Sequence, residues 1–460
     1  MEKIKKLFQA TDMTVGEPWK QIVIFTIPML IGNIAQQLYN TVDSIVVGKY
    51  VGDNALAAVG SAGPILNLLL VLFIGISMGA SIMVAQYFGA KQKEELSYTI
   101  GNCISLTAIA VIIIMVVSVI VVRPLLTLLN TPASIIDWCA SYLLIMFLGS
   151  VGSAYYNILS GVLRGLGDAF SALVYLLVAT VLNIVLDILF VAKFNMGVSG
   201  VALATVIAQA VSAILCFVRL AQMTDLFDLK VVYMKLNKKY AMNIVRLGLP
   251  SGFTQAIFSM AMIVVQSLTN SFGEMFIAAN VIVMRVDGFA MLPNFSFGTA
   301  MTTYAGQNVG ARKFDRVTKG ARQGTLIAVL TTSVLTGLIL LFGKPLMGIF
   351  TDTAELVDLS RKMMGIIAVG YVAMAVTQSL SGVMRGAGDT VTPMWISLFT
   401  TVVVRVPIAY GLAFLTKSAL YPNGRQESVF ISLLCAWLMG AAVTTIFYLR
   451  GKWKKKALDY

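Results

Sequence analysis

Apolar residues fill this chain in long blocks, interrupted by short clusters of charge. Twelve runs free or nearly free of charge fall at about 21–48, 54–90, 97–122, 138–163, 170–192, 197–218, 247–273, 275–310, 323–343, 363–384, 391–416 and 428–449. Each is long enough to cross a hydrocarbon core of about 30 Å as a helix, and the longest must include interfacial turns. The first run begins late and continues at spanning length, which predicts no cleavable signal peptide. The pattern therefore predicts an all-α polytopic membrane protein with twelve transmembrane helices.

Composition sharpens this. Of 460 residues, 58% are hydrophobic and 12% charged, against about 25% charged in soluble chains. Histidine is absent, which removes Ser-His-Asp and Cys-His catalysis, HExxH zinc sites and histidine proton relays. The four cysteines, Cys103, Cys139, Cys216 and Cys435, stand singly in apolar stretches and fit neither a disulfide framework nor a metal site. Gly343-Lys344-Pro345 lacks the remaining residues of a Walker A loop. The chain is thus expected to be no enzyme and to carry no cofactor, with any transport driven by an ion gradient.

Net charge is +13, from 34 Lys and Arg against 21 Asp and Glu. With the N-terminus placed inside, the inside segments hold 24 basic residues and the outside loops 8. That bias predicts both termini in the cytoplasm. It accounts for the basic charge without nucleic acid, and the cluster Lys452, Lys454, Lys455 and Lys456 is expected to touch anionic lipid.

The chain also repeats itself at an offset of 221 residues. Residues 159–168, LSGVLRGLGD, recur at 380–389 as LSGVMRGAGD. Gln86, Gly89, Ala90 and Lys91 map to Gln307, Gly310, Ala311 and Arg312, Pro124 to Pro345 and Asp137 to Asp358, while Pro28 meets Pro250 after a one-residue slip. An even number of spans per copy makes the copies parallel repeats. The expected organisation is two pseudo-symmetric six-helix lobes, an N-lobe at 1–218 and a C-lobe at 247–460. A cytoplasmic linker at 219–246, part amphipathic helix, would join them, and rocking of the lobes would give alternating access.

Ionisable groups inside spans carry the chemistry, since each costs about 2.5–3.5 kcal/mol or more at the bilayer centre. Asp43 follows Pro28 in the first span and shares it with Asn33, Gln36, Gln37, Tyr39 and Asn40, a polar stripe that lipid would not tolerate. Pro28 offers a kink there. Asp187 lies four residues after Asn183, so both project from one helix face, and Thr205 follows in the next span. A carboxylate and an amide oxygen are hard ligands that suit Na⁺; the carboxyl could equally carry a proton, or these groups could serve only to hydrogen-bond helices together. Arg285, Asp287 and Arg405 are expected mainly as an ion-pair network, and Arg164–Asp168 and Arg385–Asp389 as tight turns with local i,i+4 pairing. Met260, Met262 and Met291 are weak candidates for an adaptable pocket wall.

Together these residues resemble the MATE family (multidrug and toxic compound extrusion) over essentially the whole chain. The resemblance rests on Pro28 with Gln36-Gln37-Leu38-Tyr39-Asn40-Thr41-Val42-Asp43, the Leu-Ala-Ala-Val stretch at 56–59, the Gly-Ala-Lys and Gly-Ala-Arg turns and the paired Arg-Gly-x-Gly-Asp motifs. It implies a twelve-helix antiporter, acting as a monomer in a bacterial cytoplasmic membrane, that exports amphipathic cationic drugs in exchange for Na⁺ or H⁺. The chain looks most like the DinF-type branch, whose cation site matches Asp43, Asn183, Asp187 and Thr205. Gln36, Tyr39, Asn40, Tyr142 and Asn157 would line the N-lobe cavity, with Pro28 as hinge. Other branches carry a functional Glu where this chain has Gln255, and the tenth span has Gln378 and no acid. Gln255 is therefore expected to face drug, with coupling resting on the N-lobe. The rival reading is a lipid-linked precursor flippase of the same superfamily, which would want a basic cavity; a channel or receptor is disfavoured by the repeat.

Overall fold

The computed structural model describes residues 9–128 and 131–457, and among them no strand occurs. The first half runs α1 (Pro18–Tyr50), α2 (Asp53–Gly89), α3 (Lys93–Leu128), α4 (Ile136–Leu148), α5 (Ser150–Gly165), α6 (Ala169–Asp187) and α7 (Gly197–Ala221). After the one-turn α8 (Val231–Met234) come α9 (Lys238–Ser271), α10 (Glu274–Ala290), α11 (Leu292–Gly310), α12 (Phe314–Leu341) and the short α13 (Gly343–Gly348). The second half closes with α14 (Ala354–Ala368), α15 (Gly370–Gly386), α16 (Val391–Leu398), α17 (Val406–Leu415) and α18 (Ser428–Leu449). Ten described segments are long and apolar enough to cross a membrane, and two bent pairs bring the number to twelve. The side chains of Leu56 and Ala57, in the Leu-Ala-Ala-Val stretch, lie outside the described residues.

Those bent pairs depart from the continuous fourth and tenth spans expected. The chain turns by 51° between α4 and α5 and by 41° between α14 and α15. Both breaks sit on glycines that correspond at the 221-residue offset, Gly149 and Gly370. A Cβ on Gly149 would collide with Val206 of α7, and one on Gly370 with Trp437 of α18. Each bend is where a neighbouring helix presses against bare backbone, which no hydropathy pattern reports.

The repeated Arg-Gly-x-Gly-Asp motif closes one turn in each half. Gly165 packs on the Ser81 backbone of α2, and Gly386 on the Thr302 backbone of α11, positions again 221 apart. Small residues at such crossings let helix backbones approach closely, which in lipid substitutes for a hydrophobic driving force. The charges behave differently from the local pairing expected. Asp168 caps α6, accepting from Ser171 N at 3.0 Å and Ser171 Oγ at 2.7 Å, and its ion pair is to Arg219 at 3.1 Å. Arg164 instead donates to Ser160 Oγ. Asp389 accepts from Thr392 N at 3.2 Å and Thr392 Oγ1 at 2.8 Å. The acid is a helix-start device, because its oxygens satisfy otherwise unpaired N–H groups. One ion pair does repeat: Arg123 with Asp137 at 2.8 Å, and Lys344 with Asp358 at 3.8 Å.

Contacts divide the chain into two compact units. One holds Ile27–Gly252 and the described part of Met1–Asp12; the other holds Met13–Thr26 and Phe253–Tyr460. Membership changes inside α1, one residue before Pro28. Residues just before α1 are tied into the second unit by Met13 N donating to Gln307 Oε1 at 2.8 Å and by Arg316 donating to Val15 O at 2.8 Å. Residues 219–246, expected as a partly amphipathic helical connector, hold the end of α7, the single turn α8 and the first turns of α9. They lie on α3: Asp228 N donates to Ser97 Oγ, Asn102 donates to Tyr233 O, and Tyr240 stacks on Tyr98 with centroids 5.1 Å apart. In the second unit an aromatic core gathers around Tyr371, Trp437, Phe276 and Phe430. On α3, Ile112, Val116 and Ile120 repeat at four-residue spacing and are 58–68% exposed, an apolar stripe that only lipid would cover favourably.

Candidate functional site

Two helices of the first unit each bring one carboxyl to a common point. On α1, Tyr39 and Asp43 lie one turn apart, so they share a face. On α6, Asn183 and Asp187 do the same and are fully buried. Asp187 is the last α-helical residue of α6, and the chain widens at once into a π-helical turn, Ile188–Lys193. Such turns are uncommon and recur at functional sites, because the wider ring disrupts the regular carbonyl-to-amide ladder. Nothing in the sequence marked it.

Asp43 and Asp187 stand close enough for a proton on one to bond the other. Asn183 lies between them and Thr205 of α7. With its oxygen toward the acids, its NH2 reaches Thr205 Oγ1 at 3.4 Å. Turned about, its NH2 donates to Asp43 Oδ1 at 2.8 Å and to Asp187 Oδ2 at 3.2 Å. The two orientations suit two states of charge. The second satisfies both acids and is the one the neighbouring groups favour; an amide oxygen turned toward the two carboxyls would serve only a bound cation. Asp187 Oδ1 and the Tyr39 hydroxyl are buried with no hydrogen-bond partner. Two anions this near each other, away from water, repel strongly unless a proton or cation joins them. The donor set fits Na⁺: two carboxyls, one amide oxygen and hydroxyls. Among the described residues no group of three or more Asp, Glu, Cys or His forms a richer metal site.

The remaining expected residues divide. Tyr142 of α4 is buried within electrostatic reach of both acids. Gln36 is half-buried and Asn40 exposed on α1. Asn157 of α5 donates its amide to Ser153 O at 2.8 Å, and its carbonyl accepts from Ser77 Oγ at 2.7 Å, so it also fastens α5 to α2. Gln255, exposed on α9, belongs to the second unit, five residues after Pro250.

That unit holds buried charges of its own, and they do not form the ion-pair network expected. Arg285 is exposed. Asp287 is in hydrogen-bond contact with Tyr371. The guanidinium of Arg405 rests on the Met262 sulfur at 3.6 Å. No ion pair joins these three among the described residues, because a tyrosine and a methionine occupy the places of the opposite charges. Tyr371 went unnoticed in the sequence, where nothing sets it apart from other aromatic residues. Met291 is a core residue and Met260 is exposed.

A family model described as MatE matches residues 28–189 and 250–411, one copy in each half. The probable multidrug resistance protein YoeA of Bacillus subtilis is 30% identical over 96% of this chain and 95% of its own. The probable multidrug resistance protein NorM of Thermotoga maritima is 26% identical, covering 96% of this chain and 95% of its own. A crystal structure of a MATE protein in complex with MaL6 superimposes with a TM-score of 0.90 at 25% identity, covering 97% of this chain and 99% of that one.

Proposed function

The chain belongs to the MatE family of multi-pass membrane transporters, and we propose that it is a secondary multidrug exporter that moves amphipathic organic cations out of the cell in exchange for Na⁺ or H⁺. The observation that carries this reading is the pair of carboxyls, half-buried Asp43 and buried Asp187, joined by Asn183 and faced by Thr205. Their sign attracts cations and repels anions. An exchanger must bind its driving ion and its cargo with different strength in its two states, since equal affinity shifts no equilibrium. The carboxyl pair supplies that difference: it holds Na⁺ or a proton in one state and gives it up when α1 moves. Pro28 is the point of α1 where such movement is easiest, because proline removes one helix hydrogen bond. Tyr39, Tyr142, Gln36 and Asn40 offer aromatic faces and amides that suit flat cations near the acids. We take the unit of function to be a monomer in the plasma membrane.

Efflux from proteoliposomes tests the reading. An ethidium-like monocation should leave faster when an inward ΔpH or ΔpNa is imposed, with each gradient applied alone to identify the ion. Movement of an anionic lipid-linked precursor with no movement of the cation would replace this reading with a flippase.

A further inference from the structure

A cavity in the second unit lies far along the chain from the acid pair. It has a volume of about 1030 Å³ and is bounded by α12, α15, α18 and the turn after α18. Its chemistry is graded. At one end stand Lys319, Arg322 and Lys454; further along, Leu326, Val329 and Val376 form an apolar wall. From Arg322 to Val329 the helix rises about 10 Å, a distance that separates a charged head from an acyl chain. The charge at the mouth is net positive. Lys319 is offset by Glu17 at 3.4 Å, and Asp315 stands on the same rim. Arg322 and Lys454 have no ion-pair partner among the described residues.

Lys454 is held in place. After Gly451, in the left-handed region at φ 68°, the chain turns into a 3-10 helix, Lys452–Lys455. Trp453 is buried there, stacked on Tyr448 at 5.5 Å and donating its Nε1 proton to Tyr448 O at 2.9 Å. The stack anchors the turn that carries Lys454, which lines the cavity together with Tyr448. A soluble anion would have no use for the apolar wall, and a zwitterionic lipid no use for two unpaired cations.

We propose that this cavity is a binding site for an anionic phospholipid, with its phosphate on Arg322 and Lys454 and an acyl chain along Leu326, Val329 and Val376. The site is independent of the transport reading, because it uses none of the residues placed at the cation site.

Binding of phosphatidylglycerol and phosphatidylcholine with identical acyl chains, to the full chain in detergent, tests this by native mass spectrometry and thermal unfolding. The wild type should retain phosphatidylglycerol about tenfold better. The double variant Arg322→Gln/Lys454→Gln should lose that preference while keeping its unliganded unfolding midpoint. A Lys417→Gln/Arg425→Gln control, outside the cavity, should keep it. If the double variant unfolds early, Trp453→Leu, which frees Lys454 while leaving both charges, should weaken the preference several-fold. Equal retention of the two lipids, or an unchanged preference in both cavity variants, overturns the proposal. Protection by inorganic phosphate equal to that by phosphatidylglycerol would identify a soluble anion and overturn it as well.

Discussion

A buried acid in a membrane helix is expensive by about 2.5–3.5 kcal/mol or more, and two in contact are worse unless something positive stands between them. A Ser or Asn would serve a passive helix contact at lower cost, and on that ground we propose that Asp43 and Asp187 hold the coupling cation. Asp43→Asn should abolish gradient-coupled efflux while expression and membrane insertion persist; native-rate efflux from a well-expressed variant would remove Asp43 from the mechanism. Asp187→Asn and Asn183→Ala should each weaken cation binding about tenfold or more, whereas Gln255→Ala should shift drug preference and leave coupling intact, as read by dye efflux under a fixed gradient. The other decisive acid is structural. Asp168 is buried and accepts from Ser171 and Arg219, so Asp168→Ala loses a helix cap and leaves Arg219 without its acid, at about 2 kcal/mol. Its signature is a lowered thermal midpoint with unchanged drug selectivity.

At the scale of elements, the connector between the halves shows how loop residues become fixed structure. Asp228 sits on Lys93 at 3.2 Å and near Lys230 at 3.3 Å. The hydrogen bond from Lys93 holds its carboxyl below the usual value of 3.8, and Lys230 adds to the effect. A carboxyl depressed in the folded state contributes above its unfolded pKa and loses that contribution as pH falls through the folded value. Between pH 8 and 5 the docking of residues 226–237 on α3 should thus stay constant, as hydrogen exchange of their amides would report. Asp228→Asn should raise exchange there modestly at both pH values, since the group is exposed and solvent screens it. Lower protection factors in the wild type at pH 5 than at pH 8, after correction for the intrinsic exchange rate, would contradict this.

For the whole molecule, orientation is a matter of charge counted along the chain. With 24 basic residues on one side of the spans and 8 on the other, a single cysteine introduced near residue 230 or near residue 454 should resist an impermeant thiol reagent in intact cells and react after permeabilisation. Labelling of either from outside would reverse the topology.

Hydropathy, the 221-residue repeat and the isolated acids made the all-helical, two-copy architecture legible before any coordinates, because a bilayer forces length and polarity onto the sequence itself. Asp43, Asn183 and Asp187 were legible for the same reason: polar groups inside apolar runs stand out. Their meeting was not, since α1 and α6 are far apart in sequence and only packing brings Asp43 to Asn183. Packing also placed the bends at Gly149 and Gly370, gave Asp168 to Arg219 in preference to Arg164, and gave Asp287 a tyrosine where an arginine was expected. Each of these depends on which side chain another helix presents at one point, and local pattern carries no record of that.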